Sequence, residues 1–289
     1  MKFITTLHKY ENLDSILEVA DGIILGQVQF AKTLTNDFKS LTNDIIHKVH
    51  HCQKEVFLLL NKIFTDKELK LVKDYLKGLP VEMITGFIGA DIGLLSVMDE
   101  LGLTDKFVYN PETLLTNDVD FNDLSSAHIK GAFVSKEITL EDILEIGQLK
   151  KYDLFYFGHG HMSMFYSKRQ MLQTFKDYKN EANNLHQDQN LRLSEAKRLD
   201  ETYPILEDDA GTHVFRGHIF NSFKALDALS SVVDYFVVDS LFLDDSYAGK
   251  IILMYREGII DKTLIETYKQ TLHDGFLFDE STIKGEKND

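Results

Sequence analysis

Short apolar runs rich in β-branched and aromatic residues alternate with amphipathic stretches along most of the chain. That order of periods predicts a β/α protein. Strands are expected at 2–7, 22–25, 56–60, 81–85, 107–110, 131–135, 152–157 and 235–239, with helical segments between most of them. Parallel strands with intervening helices in this number close naturally into a (β/α)8 TIM-like barrel, open or distorted if closure is incomplete, with the active site at the C-terminal ends of the strands. A doubly wound open sheet is the alternative. Between the sixth and seventh strands, Leu140, Ile143, Leu144 and Leu149 follow Thr139, an N-cap candidate with acidic Glu141 and Asp142 in the first turn.

One region breaks the alternation. Residues 176–190 are polar and charged, and short runs at 191–193, 203–206 and 212–216 follow, with Asp208, Asp209, Ala210 and Gly211 as the clearest turn. The expectation is one barrel domain over 1–289, an inserted polar loop and β-hairpin over 176–218 after the seventh strand, and a disordered tail at 285–289.

Composition narrows the classes. The 289 residues carry a formal charge of -15, which favours solubility and argues against a chain that grips nucleic acid alone. Cys52 is the single cysteine, so a disulfide framework, an iron–sulfur cluster and a structural cysteine zinc site are all expected to be absent. The apolar run near the N-terminus is too short for a signal peptide and no later run approaches a membrane span, so a cytoplasmic location is expected.

The segment 152–173 carries the most chemistry. A run apolar on both faces, Leu154 to Phe157, leads into Gly158-His159-Gly160-His161, read as a turn that ends the strand at the edge of the site. Histidines at i and i+2 in extended backbone could point the same way and hold a divalent metal, with Glu137, His213 or Asp239 completing the shell. Spacing fixes no third ligand, so hydrogen-bonded loop histidines are the simpler reading. Glu207, Asp208 and Asp209 read as a turn rather than a calcium loop. His50, His51 and Cys52 make a Cys–His pair only on paper.

Several segments together resemble peptidase family U32, the collagenase-like peptidases and their relatives in RNA and quinone hydroxylation. Asp91-Ile92-Gly93 matches an Asp-x-Gly at a strand end, Asn110 or Asn117 matches a loop Asn, and Ser135-Lys136-Glu137 matches a strand that runs into an acidic helix. Phe157, His159, Gly160, Met164, Tyr166, Ser167, Arg169 and Leu172 fall in register with the family signature without a gap. The departures are as informative: Ser163 and Gln170 stand where the signature has cysteines, Phe155 where it has Glu, and Val237 to Ser240 replace a late motif and keep only the acidic Asp239.

The resemblance implies His159, Glu137 and Asp239 as catalytic groups and Asp91, Asn117, Arg169, Tyr166 and Gly160 as substrate contacts, with no metal. Three of these have a structural counterpart: a helix-dipole carboxylate for Glu137, a helix cap for Asp91, and solvated charge for Arg169 with its neighbour Lys168. It further implies a cysteine-poor partner subunit in prephenate-dependent hydroxylation of the tRNA wobble uridine. The partner would be a cysteine-bearing U32 paralogue, with tRNA met through the complex. A U32 peptidase is the second expectation, although no Ser-His-Asp, Cys-His or H-E-x-x-H arrangement supplies a mechanism. The third is a barrel that holds a carboxylated metabolite without turning it over, with Arg169, Arg216, Lys136 and His159 as the groups to inspect.

Overall fold

The computed structural model describes residues 1–280, the side chains of 198–200 excepted. The expected tail, 285–289, lies outside the described residues. Strands β1 (Lys2–Thr6), β2 (Gly22–Gly26), β3 (Glu55–Leu60), β4 (Gly86–Gly89), β5 (Phe107–Tyr109), β6 (Gly131–Phe133) and β7 (Asp153–Ser167) pair in parallel in sequence order. After the antiparallel strands β8 (Arg192–Glu195), β9 (Arg198–Asp208) and β10 (Gly211–Asn221), strand β11 (Tyr235–Val238) pairs in parallel with both β7 and β1 and closes the barrel. A short β12 (Leu272–His273) joins β10.

Helices α1 (Leu13–Val19), α2 (Thr42–His51), α3 (Asp66–Lys77), α4 (Gly93–Leu101), α5 (Asp118–Asn122) and α6 (Leu140–Leu149) fill the successive crossovers. α7 (Met171–Lys179) follows β7, α8 (Leu226–Ser230) precedes β11, and α9 (Asp245–Glu257) and α10 (Lys262–Thr267) come after it. Thr139 caps α6 as expected, in a reciprocal pair with Asp142, and Thr65 does the same for α3 with Glu68.

Strand alternation sorts the core into two layers. Every barrel strand sends a buried residue inward, among them Ile4, Phe57, Phe133, Phe155 and Tyr235. Phe155 stacks on Tyr235 at 4.3 Å, and Phe57 meets both rings edge-on at 5.6 and 5.3 Å. The interior is therefore packed with side chains at this level rather than open. The outward residues, such as Phe3, Val56, Phe87 and Val238, pack against Ile45, Val72, Ile143 and Ile251 of the helices.

Two strand expectations need correction. The fourth strand is not 81–85: Val81–Met83 forms a 3₁₀ turn and the strand is the glycine-flanked β4. Its glycines are steric requirements, because a Cβ at Gly86 would lie 3.0 Å from the Phe57 ring and one at Gly89 2.5 Å from Leu94. The seventh strand does not end at Phe157. It continues to Ser167, leaving its parallel partner β11 at His159 and running on antiparallel to β10. Thus Gly158 to His161 are strand, not turn. Gly158 is the extra residue of a bulge that sets His159 rather than Gly158 opposite Val238, and Gly160 takes a φ of 142° that a side chain would resist. β7 with β10, β9 and β8 forms the inserted meander beyond the barrel rim.

Candidate active site

At the C-terminal ends of the barrel strands lies a cavity of about 130 Å³, floored by Ile24, Ile88, Phe133 and Val237 and walled by polar groups from several crossover loops. This is where the fold places active sites. The loop after β2 supplies Lys32 and Thr33, β3 leads to Asn61, β5 to Asn110 and Glu112, β6 to Lys136, β11 to Asp239. The extended half of β7 contributes His161 and Ser163, and β10 contributes His213.

The charges on the walls are opposed. The buried Lys32 amine sits 2.6 Å from Glu112 and 4.3 Å from the centroid of the Tyr166 ring. Burial works against ionisation of Glu112, but Lys32 and Lys136 outweigh it and hold the carboxyl below its usual range. Burial pushes Lys136 down, partly opposed by Glu112 and Glu137, and its amine lies 5.2 Å from the Phe157 centroid. Burial likewise pushes Asp239 up, against the pull of His8, His161 and Lys136. Burial thus disfavours the charged form of both Asp239 and Lys136, while the opposite charges around each counter that shift.

The histidines are oriented by their partners. His161 Nδ1 donates to the Arg216 carbonyl at 2.8 Å, which leaves Nε2 as the acceptor of the neutral ring. His213 Nε2 lies 3.0 Å from Asp208, whose carboxylate also accepts the Thr33 and Ala210 backbone amides, and Tyr166 stacks on His213 at 5.0 Å. Two cavity residues hold left-handed backbone, Thr33 at φ 59° and Glu112 at φ 65°. Such strain is uncommon for a β-branched residue and clusters at functional sites.

The expected site residues divide between this cavity and other places. Asp239 lines it; Gly160 abuts it, since a Cβ there would lie 2.8 Å from the Asp239 carbonyl. Tyr166 stands behind Lys32 and His213 and donates to the Ala210 carbonyl at 3.0 Å. Glu137 sits one residue past Lys136 and its backbone amide donates to Ser135, but its side chain is not among the lining groups. Asp91 ties two loops together, accepting from Gly93 at 2.8 Å and Phe64 at 2.7 Å. Asn117 is the exposed cap of α5, whereas Asn110 lines the cavity. Arg169 is exposed on the rim of the meander.

His159 lies elsewhere. The bulge turns it to the helix layer, where Nε2 hydrogen-bonds the Tyr247 hydroxyl at 2.8 Å and Nδ1 lies 3.4 Å from the Tyr255 hydroxyl. Burial lowers its pKa to about 3, with His161 adding a small repulsion. The i, i+2 spacing therefore does not bring the two rings to one point, because the bulge at Gly158 turns His159 out of the cavity side and the φ of Gly160 breaks the alternation between the two histidines. Among the described residues, no cluster of three or more His, Cys, Asp or Glu is placed to hold a metal. Cys52, exposed at the end of α2, and the Ser163 and Gln170 side chains offer no thiolate set for an iron–sulfur cluster.

Lys32, Glu112 and Asn61 were not signalled by the sequence. The one local hint is a lysine flanked by the buried Phe30, Ala31 and Leu34.

A closed parallel barrel with a charged cavity at its C-terminal mouth defines a TIM-barrel protein. The chain belongs to peptidase family U32, whose model matches residues 8–281. It is 24% identical over 247 residues, 83% of this chain and 79% of the relative, to tRNA hydroxylation protein P2 of Bacillus subtilis (strain 168). Among solved structures it resembles the U32 peptidase Mk0906, with a TM-score of 0.51 and 12% identity over 83% of this chain and 92% of that one. Orotidine 5'-phosphate decarboxylase from Pyrococcus horikoshii OT3 aligns with a TM-score of 0.47 and 14% identity, over 89% of this chain and all of that one.

Proposed function

We propose that this protein is a component of tRNA wobble-uridine hydroxylation that works with a cysteine-bearing U32 paralogue and needs prephenate. The observation that carries the reading is the match to tRNA hydroxylation protein P2, taken with a barrel cavity that has cations and proton-exchanging groups but no cysteines. In this reading Lys32 and Lys136 hold the carboxylates of the small ligand, and Asp239 with His161 handles protons. The paralogue carries the cluster, and the complex meets tRNA in the cytoplasm. Among the described residues no helix is long and apolar enough to cross a membrane. Within this reading His159 positions β7 against α9 rather than touching the ligand.

The test is mass spectrometry of tRNA nucleosides from a strain lacking the gene, complemented with wild type, Lys136→Met or Asp239→Asn. Wobble 5-hydroxyuridine derivatives are expected to vanish on deletion, return with wild type, and stay reduced with both variants. Their persistence in the deletion strain, with other routes to them removed, would overturn the reading. Peptide hydrolysis, the activity in the family's name, would then have to use Asp239 and His161.

A further inference from the structure

We infer that the outer face of α7 and the basic turn before it form a stacking platform for single-stranded RNA. The inference rests on the RNA-modification reading and deepens it by naming the surface that meets the nucleic acid. Met171, Phe175 and Tyr178 share one helical face at i, i+4 and i+7, and the two rings are 52% and 80% exposed. Lys179 holds its amine 5.8 and 5.9 Å from the centroids of Phe175 and Tyr178.

Charge separates this surface from the rest of the molecule. Residues 164–179 contain the cations Lys168, Arg169, Lys176 and Lys179 and one carboxylate, Asp177, in a chain whose net charge is -15, although Lys168 also faces Glu68 at 4.0 Å. A protein-binding patch would be depleted in lysine. Flat rings interleaved with lysines instead match what a single strand offers, a π-face on each base and a phosphate beside it.

The face is held rigidly. The Leu172 and Gln173 amides donate to the buried Glu207 carboxylate at 2.7 and 2.9 Å, Met171 donates to Thr212, and Thr212 in turn donates to Glu207 at 2.7 Å. Along the chain, the helix follows the strand whose His161 and Ser163 line the cavity.

The experiment is fluorescence anisotropy with the full-length protein and a labelled RNA of about twelve nucleotides, single-stranded or annealed to its complement, at about 50 and about 200 mM salt. Wild type is expected to prefer the single strand. Phe175→Ala with Tyr178→Ala should weaken binding at least tenfold or so, while Phe175→Tyr with Tyr178→Phe keeps it. Lys168→Ala with Lys179→Ala should flatten the salt dependence. Equal binding of single strand and duplex by wild type, or unchanged binding by the aromatic double variant, would overturn the platform. So would a double variant that binds RNA normally but no longer co-purifies with the paralogue, which would make the face a protein interface. The two readings separate cleanly. If deletion abolishes hydroxylated wobble nucleosides but the RNA-binding pattern is absent, the functional reading stands and the platform falls; the reverse pattern keeps the platform and removes the functional reading.

Discussion

Acidification should destabilise this protein through His159. The ring is 1% exposed, hydrogen-bonds the Tyr247 hydroxyl and has its pKa lowered by burial from 6.5 to about 3. The folded state therefore keeps the ring neutral while the unfolded chain takes up a proton near its ordinary value. The stability contributed is complete above about pH 6.5 and is lost as pH falls toward 3. Each unit is worth about 1.4 kcal/mol, so the full span is just under about 5 kcal/mol, and between about pH 7.5 and pH 5 the loss is about 2 kcal/mol. With a urea slope of about 3 kcal/mol/M, the midpoint should fall by roughly 0.7 M.

His161 and His218 are also lowered by burial and add their own acid dependence, so the comparison is with His159→Gln. That variant should be less stable at neutral pH by about 1–2 kcal/mol, having lost ring packing and the Tyr247 bond. Its loss on acidification should be smaller than wild type's by about 2 kcal/mol. A proton NMR titration of the ring gives the same quantity directly. Parallel pH curves for wild type and variant, or a ring that titrates near pH 6.5, would refute the buried neutral assignment.

Three further outcomes follow from the geometry. Lys32→Met strands Glu112 in the cavity wall and should cost about 2 kcal/mol in urea unfolding, with Glu112→Gln in the same chain recovering much of it; an additive double variant would show that the pair does not couple. Gly158→Ala places a Cβ 2.0 Å from the Phe236 ring, so a loss of about 3 kcal/mol or failure to accumulate folded protein is expected, against a wild-type-like melting curve if β7 can shift. Thr65→Ala removes the side-chain half of the α3 capping box, the hydroxyl oxygen that accepts the Glu68 amide, and should cost about 1 kcal/mol by thermal melting, where no change would mean this cap is not formed in solution.

The barrel was legible because alternation along each strand and the amphipathic period of each helix are local properties. Seven of the expected strands overlap observed ones, and Thr139 was readable as a cap because capping needs only residues three apart. β4 escaped because Gly86 and Gly89 look like breakers until Phe57, Phe107 and Leu94 are known to crowd them. Asp239 and Lys136 could be singled out from segments that match the family pattern. Lys32 and Glu112 could not, since 80 residues separate two partners that the barrel brings to 2.6 Å.

By itself, then, the sequence determined the β/α alternation that closes into the barrel and the single cysteine. Only the tertiary structure decided which histidine meets the cavity. A one-residue bulge at Gly158 turns His159 away from the cavity and the left-handed φ of Gly160 returns His161 to it, at the point where the strand exchanges a parallel partner for an antiparallel one. No local pattern encodes that exchange, because it depends on β11 and β10, which come from far along the chain to lie beside it.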